Sequence, residues 1–161
     1  MRILIYLTLL FSAALVFAEQ TAELKQARKH INAMEYSQAE NSIKQHLAKH
    51  TGDIKALHLL AKAYAWDNNY KLASQTYERL LKSDSNNPEY LFGKGSALVW
   101  LQKNEQAIPF LDKAWNIKKN NPNYLRILIL TLKQTSIDGH KKRAKDLSAV
   151  GQKKFPNLIW D

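Results

Sequence analysis

The sequence repeats itself with a period of thirty-four positions. The segment Asn86 to Leu91 reads NNPEYL, and one period later Asn120 to Leu125 reads NNPNYL, with no gap in between. A period of this length is typical of arrays in which one supersecondary unit is stacked several times. The same offset relates Ala27, Ala61 and Gly95; Tyr36 and Tyr70; Ala39, Ala73 and Ala107; and Leu57, Leu91 and Leu125.

Hydrophobic spacing inside each repeat predicts two helices. In the second repeat, apolar residues recur three and four positions apart, which gives each of two helices one apolar face. Five glycines and four prolines leave little material for β-turns, so an all-α fold is favoured. Because a lone hairpin cannot bury its apolar face, we expect the repeats to stack on one another.

The length and pattern of the repeat resemble the tetratricopeptide repeat. The resemblance implies an all-α solenoid of helical hairpins, wound into a right-handed superhelix whose first helices line a concave groove. It predicts a single domain over 19–161, with repeats at about 20–53, 54–87, 88–121 and a degenerate 122–156, followed by a short apolar tail. The matching residues of the second repeat are Leu57, Leu60, Ala61, Tyr64, Tyr70, Ala73 and Tyr77, and departures in the second and third repeats are Leu80, Ser85, Lys94 and Asn104.

The N-terminus has the pattern of an export signal. Arg2 precedes an apolar run from Ile3 to Phe17, and Val16 and Ala18 occupy the two positions that a signal peptidase inspects. This pattern predicts a signal peptide over 1–18, cleaved after Ala18, and a periplasmic or secreted mature chain. The alternative is an uncleaved membrane anchor, although the run is shorter than the roughly 20 apolar residues that cross a bilayer.

Basic residues exceed acidic ones, and most of the excess lies near the C-terminus. The chain carries 24 Lys and Arg against 14 Asp and Glu, a net charge of +10. Such a chain attracts an anionic membrane surface, an acidic glycan or an acidic protein, whereas nucleic acid is not expected for an exported chain without a groove-reading motif. The alternative is an ordinary solvated helix face. The basic patch consists of Lys141, Lys142, Arg143, Lys145, Lys153 and Lys154.

Aromatic and basic residues occupy the first-helix positions that, by the family resemblance, line the concave groove. Trp66 and Trp100 are one period apart, so we expect them to stack one above the other. Rings interspersed with cations suit an extended peptide or a sugar chain. The alternative is that both tryptophans pack against neighbouring helices, as aromatic residues at helical spacing usually do. The predicted partner-binding set is Arg28, His58, Lys62, Trp66, Phe92, Trp100 and Arg126.

The sequence contains no pattern that predicts catalysis, a cofactor or a metal. The absence of cysteine excludes disulfides, thiolate metal sites and cysteine nucleophiles. His46 and His50 would share a helical face, but a third ligand is not evident, so a packed or hydrogen-bonded His46 is favoured over a zinc site. Gly93 to Ser96 reads GKGS without the upstream glycine of a phosphate loop, so Gly95 is better explained by close helix packing. We therefore expect a non-enzyme.

The C-terminal tail is apolar, although helical-repeat arrays usually end in a polar capping helix. We expect Leu158, Ile159 and Trp160 to fold back on the last hairpin as a cap. The alternative is that they protrude and bind another protein or a second copy of the chain.

These observations predict an exported scaffold or adaptor that binds a protein or peptide partner through its concave groove, in cell-envelope assembly or secretion. The segments Tyr64 to Tyr70 and Leu98 to Trp100 also resemble envelope tetratricopeptide domains of outer-membrane and exopolysaccharide export systems. That resemblance implies an alternative function, a glycan- or polyanion-binding module that uses the tryptophan pair and the basic patch.

Overall fold

The computed structural model describes residues 22–160, and its regular secondary structure there is entirely helical. The predicted signal peptide, 1–18, lies outside the described residues. Within them the chain forms eight helices, in agreement with the all-α fold expected from the repeat. The helices are α1 (22–32), α2 (Tyr36–Lys49), α3 (Ile54–Trp66), α4 (Tyr70–Ser83), α5 (Pro88–Trp100), α6 (Asn104–Ile117), α7 (Pro122–Lys133) and α8 (Asp138–Lys154).

The first helix of each of the last three repeats begins with a side-chain cap. Asp53 accepts a hydrogen bond from the backbone N–H of Ala56 at the start of α3. The side-chain oxygens of Asn87 and Asn121 likewise accept hydrogen bonds from backbone N–H groups in the first turns of α5 and α7. A proline follows each of these two asparagines, in the first helical turn, where its missing N–H removes no helical hydrogen bond.

The turn inside each of the first three hairpins has one residue in the left-handed backbone region. These residues are Met34, Asn68 and Gln102, with φ values of 60°, 59° and 60°, and each is one period from the next. Glycine adopts this conformation without strain, whereas for other L-residues it costs about 1–2 kcal/mol, and least for asparagine. Each of these three hairpins therefore turns through a left-handed residue that is not glycine.

The chain divides into two compact units, an N-terminal unit that ends at Asp67 and a C-terminal unit that begins at Asn68. In the N-terminal unit α2 packs against α3, around a buried core that includes Ile43, Leu60 and Tyr64. In the C-terminal unit each helix from α4 to α8 packs against the next one along the chain. The largest fully buried side chains of the C-terminal unit are Leu80, Leu111, Leu125, Leu128, Leu132 and Thr131.

Two glycines of α5 allow close helix packing in the C-terminal unit. A Cβ atom at Gly95 would lie 2.7 Å from the side chain of Leu111 on α6, so only glycine fits there without displacing the leucine. A Cβ atom at Gly93 would lie 2.2 Å from the ring of Tyr77 on α4. The expectation that Gly95 serves close helix packing is confirmed.

The C-terminal tail caps the last hairpin through one residue. Trp160 is 4% exposed, its ring covers Gly151 on α8, and its Nε1 donates a hydrogen bond to the carbonyl oxygen of Phe155 at 3.2 Å. Leu158 and Ile159 are 38% and 79% exposed. The expectation of a folded-back cap is therefore confirmed for Trp160 and wrong for Ile159, because the backbone that turns the indole inward leaves its neighbour in solvent.

None of the described helices combines the length and the apolar character that a membrane span needs.

Candidate functional site

Three of the predicted groove residues lie around one cavity of the N-terminal unit. This cavity, of about 260 Å³, is lined by Arg28 on α1 and by Lys62 and Trp66 on α3. Ile31 and Leu59 supply apolar surface between the charged side chains. Two cations, an indole ring and aliphatic walls suit a ligand that carries both an apolar group and a negative charge. We call this site the Trp66 cavity.

Trp66 is held in place although much of its ring faces solvent. The residue is 44% exposed, and its ring lies against Tyr36, the first residue of α2, with ring centroids 6.3 Å apart. The ammonium of Lys62, one helical turn earlier, lies 5.1 Å from the indole centroid. Contacts of these two kinds each stabilise a ring by about 0.5–1 kcal/mol. Both contacts favour the observed orientation of the indole ring.

Trp100 repeats this arrangement in the C-terminal unit. It is 64% exposed, and its ring stacks on Tyr70, the first residue of α4, at a centroid distance of 5.3 Å and an interplanar angle of 7°. In both pairs, the tryptophan that ends a first helix rests on the tyrosine that begins the second helix of the preceding repeat. At the next equivalent positions the chain carries Asn104 and Gln134, so the aromatic pair is not repeated there.

The pairing of each tryptophan with a tyrosine was not predicted from the sequence, although its signal is present there. Tyr36 and Tyr70 are one period apart, as are Trp66 and Trp100, so the spacing within the two pairs is the same. Each indole ring contacts a tyrosine of its own compact unit. The expectation that the two tryptophans stack on each other stays a prediction.

The other three predicted groove residues have different surroundings. Phe92 is half-buried and stacks on Tyr124 at a centroid distance of 4.4 Å, so its ring takes part in packing α5 against α7. His58 is half-buried on α3. Arg126 is exposed on α7, beside a cavity of about 230 Å³ that Leu130 and Ile159 also line. Their role in partner binding stays a prediction.

The basic patch lies on α8, and five of its six members are exposed: Lys141, Lys142, Lys145, Lys153 and Lys154. Two members of the patch contact neighbouring groups. Arg143 forms an ion pair with Asp112 of α6, and the ammonium of Lys154 lies 5.7 Å from the ring centroid of Trp115. These two side chains therefore take part in packing α8, and the solvated-face alternative stays open for the other four.

His46 is a fully buried, hydrogen-bonded residue, as the sequence led us to expect. Its Nδ1 lies 3.2 Å from Oε2 of Glu23 on α1, and its Nε2 lies 3.0 Å from Oδ2 of Asp53. The ammonium of Lys49 donates to the other oxygen of Glu23 at 2.9 Å, and this hydrogen bond lowers the pKa of that carboxyl group. We call these four residues the His46 network. Within residues 22–160, no three His, Asp or Glu side chains are grouped so that they could hold a metal ion.

The comparisons with known proteins agree with the helical hairpins and their period. A model of the tetratricopeptide repeat family matches residues 30–92. The solved structure of MamA from Desulfovibrio magneticus RS-1 matches with a TM-score of 0.79 at 14% identity, over 86% of this chain and 77% of that one. Residues 30–92 therefore match the tetratricopeptide repeat, and the solved structure extends the likeness of fold over most of the chain. Another MamA structure gives a TM-score of 0.77 at 17% identity, over 86% of this chain and 74% of that one.

The fold also occurs as part of an enzyme. A mutant of the Thermobaculum terrenum O-GlcNAc transferase matches this chain with a TM-score of 0.74 at 21% identity, over 86% of this chain but 26% of the transferase. At such identities the likeness concerns the fold alone. Among curated proteins, none matches the sequence.

Proposed function

We propose that this protein is a non-catalytic tetratricopeptide-repeat scaffold that binds an extended segment of a protein partner through the exposed faces of its first helices. The fold is that of an interaction scaffold, and the observation that carries the proposal is the recurring pair of an exposed tryptophan on a supporting tyrosine. An indole ring that is exposed in the free protein stays in contact with water. Covering the ring with a partner gains the free energy of burying its apolar surface.

The geometry of the pairs supports a binding role over a packing role. A tryptophan that served packing alone would be buried, as Trp115 is at 5% exposure, whereas Trp66 and Trp100 are 44% and 64% exposed. Because tyrosine fixes each ring beforehand, little side-chain entropy is lost when a partner covers it. Arg28 and Lys62 at the Trp66 cavity favour a partner segment with carboxylate groups beside its apolar side chains.

We further propose that the protein acts in the cell envelope or outside the cell, after cleavage behind Ala18. The support is the sequence pattern of the segment 1–18. Mass spectrometry of the protein purified from its host tests this placement. A mature chain that begins at Glu19 is the expected result, and an intact N-terminus would contradict cleavage.

The binding role is tested by photo-crosslinking in envelope extract, with a photoreactive residue in place of Asn32, an exposed residue that lines the Trp66 cavity. We expect crosslinked partners for the otherwise unchanged protein, and their loss when Trp66→Ala is added, because the indole forms much of the contact. Val150→Ala is the matched control, since Val150 is an apolar residue, 46% exposed on α8, that belongs to none of the first helices. Equal crosslinking with Trp66→Ala and Val150→Ala would contradict the proposal.

A glycan or polyanion ligand is the second candidate, and the five exposed lysines of the basic patch favour it. The dependence of binding affinity on salt concentration distinguishes the two candidates. Binding of a polyanion weakens steeply with ionic strength, because bound counterions are released, whereas a contact dominated by aromatic burial weakens little. Titration of heparin as a model polyanion at two salt concentrations makes this distinction. An affinity for heparin that is unchanged when these five lysines are replaced by glutamine would exclude the second candidate.

A further inference from the structure

The C-terminal unit contains a second cavity, formed by α4, α5 and α6. Its volume is about 440 Å³, and neither Trp100 nor Arg126 lines it. Leu81, Leu98 and Phe110 form its apolar wall, and Glu78, Lys82 and Lys94 supply its charges. We call this site the Lys94 cavity. It is separate from the faces discussed above.

Lys94 is the unusual member of this cavity. It occupies a repeat position at which the family has an apolar residue, and it is 9% exposed. Removing an ammonium group from water costs several kcal/mol unless hydrogen bonds and an opposite charge compensate. A methionine would fill the same space without that cost, so packing alone does not account for a lysine here.

The ammonium of Lys94 has two hydrogen-bond partners, one neutral and one charged. Its ammonium donates to the carbonyl oxygen of Ser74 at 3.2 Å and to Oε2 of Glu78 at 2.9 Å, and it lies 6.0 Å from the ring centroid of Phe110. An ammonium has three donors, and among residues 22–160 two acceptors are seen for them, which leaves one donor for a ligand in the cavity that the side chain lines. The anion of the pair is poorly held, because the Glu78 side chain is 62% exposed.

We propose that the Lys94 cavity binds an organic carboxylate with an apolar body. The carboxylate bonds the ammonium of Lys94 and displaces the side chain of Glu78 into solvent, where that side chain already largely lies. The apolar body covers Leu81, Leu98 and Phe110, and the exposed ammonium of Lys82 at the rim adds attraction for the anion. This proposal does not rest on the partner-binding role of the tryptophans.

Isothermal titration with decanoate and with N-acetyl-phenylalanine tests the proposal. The first probe represents a free aliphatic acid and the second a peptide carboxyl terminus, so the one that binds identifies the source of the ligand. We expect the neutral counterparts, decanol and N-acetyl-phenylalanine amide, to bind at least about tenfold more weakly, because they lack the charge that the ammonium recognises. If neither acid binds, or if acid and neutral counterpart bind equally, the proposal is wrong.

Two substitutions should change the affinity in opposite directions. Lys94→Met removes the ammonium while keeping the volume, and it should weaken acid binding about tenfold or more without lowering the melting temperature. Lys71→Met on α4 changes the net charge as Lys94→Met does and is the control for that variant. Glu78→Gln removes the competing carboxylate and should strengthen acid binding a few fold. A purely structural lysine would show no gain with Glu78→Gln, so unchanged affinity in that variant overturns the proposal even if Lys94→Met fails to fold.

Discussion

The two ends of the described chain are stabilised by different interactions. Near the N-terminal end, the His46 network joins Glu23 of α1 to α2 and to the cap of α3 through hydrogen bonds and charges. At the C-terminal end, Trp160 covers α8 with an aromatic ring and one hydrogen bond. A terminal helix can therefore be held in place either by ion pairs and hydrogen bonds or by a buried aromatic ring. Only the first solution depends on pH.

The largest expected loss of stability follows removal of the Trp160 ring. Trp160→Ala removes a side chain that is 4% exposed, and it should lower the free energy of unfolding by about 3–5 kcal/mol. Ile159→Ala is the control. The Ile159 side chain is 79% exposed, so its truncation should lower the free energy of unfolding by less than about 0.5 kcal/mol. Urea denaturation measures both variants. Similar losses would show that the ring does not act as the cap.

The next effect concerns the surface that the ring covers. Gly151→Ala places a Cβ atom 2.5 Å from the Trp160 ring, and the strain should cost about 1–3 kcal/mol. In the Trp160→Ala background the same change should stabilise α8 by up to about 1 kcal/mol, because alanine is the better helix former. This reversal of sign isolates the contact. If Gly151→Ala destabilises both backgrounds equally, the ring does not rest on the glycine.

At the N-terminal end the expected effect is smaller and depends on pH. The Lys49 hydrogen bond lowers the pKa of Glu23 in the folded protein, so its stabilisation is present above the unfolded value of about 4.3 and is lost as the pH falls through the lowered pKa. Glu23→Gln should therefore cost about 1 kcal/mol at pH 7 and progressively less below about pH 4.

The pH dependence is measured by thermal unfolding of both proteins between pH 3 and pH 7. Asp146→Asn, at an exposed carboxylate of α8, should shift stability little at any pH. A difference between Glu23→Gln and the unchanged protein that stays constant over this range would show that the charge of Glu23 is not what stabilises the N-terminal end.

The smallest effect should be the same in both compact units. Met34→Gly and Gln102→Gly relieve left-handed backbone conformations of φ 60° and should each stabilise the protein by about 0.5–1 kcal/mol, whereas Asn68→Gly should gain less. Equal gains in guanidinium denaturation would show that the two ends differ through their contacts and not through their turns. A loss of stability in either variant would mean that the side chain contributes more than the strain costs.

The fold could be predicted from the sequence because the residues that pack the helices recur at the repeat period. The repeat register places small and large residues at fixed helix positions, and it correctly identified Gly95 as a close-packing residue. The site could be predicted only in part. Arg28, Lys62 and Trp66 were selected from first-helix positions, and they do lie around one cavity.

The remaining features depend on contacts between residues that are not in equivalent repeat positions. Each tryptophan meets a tyrosine slightly less than one period earlier, a separation that a search for identity at the full period does not test. Lys94 was visible as a departure from the family pattern, but its partners Ser74 and Glu78 follow from the way α4 and α5 pack. Phe92 occupies a groove position by register, whereas its contact with Tyr124 depends on the ring that the next repeat presents.

The caps of the first helices also bear on how such a chain can change its length. Asn87–Pro88 and Asn121–Pro122 are the same junction, with the same asparagine cap and the same proline in the first turn. Excision of 88–121 would join Asn87 to Pro122 and recreate that junction without a scar, and duplication of the segment would do the same. Each repeat carries its own asparagine cap and first-turn proline. Genetic recombination can therefore add or remove a whole hairpin without changing the residues that start the remaining helices.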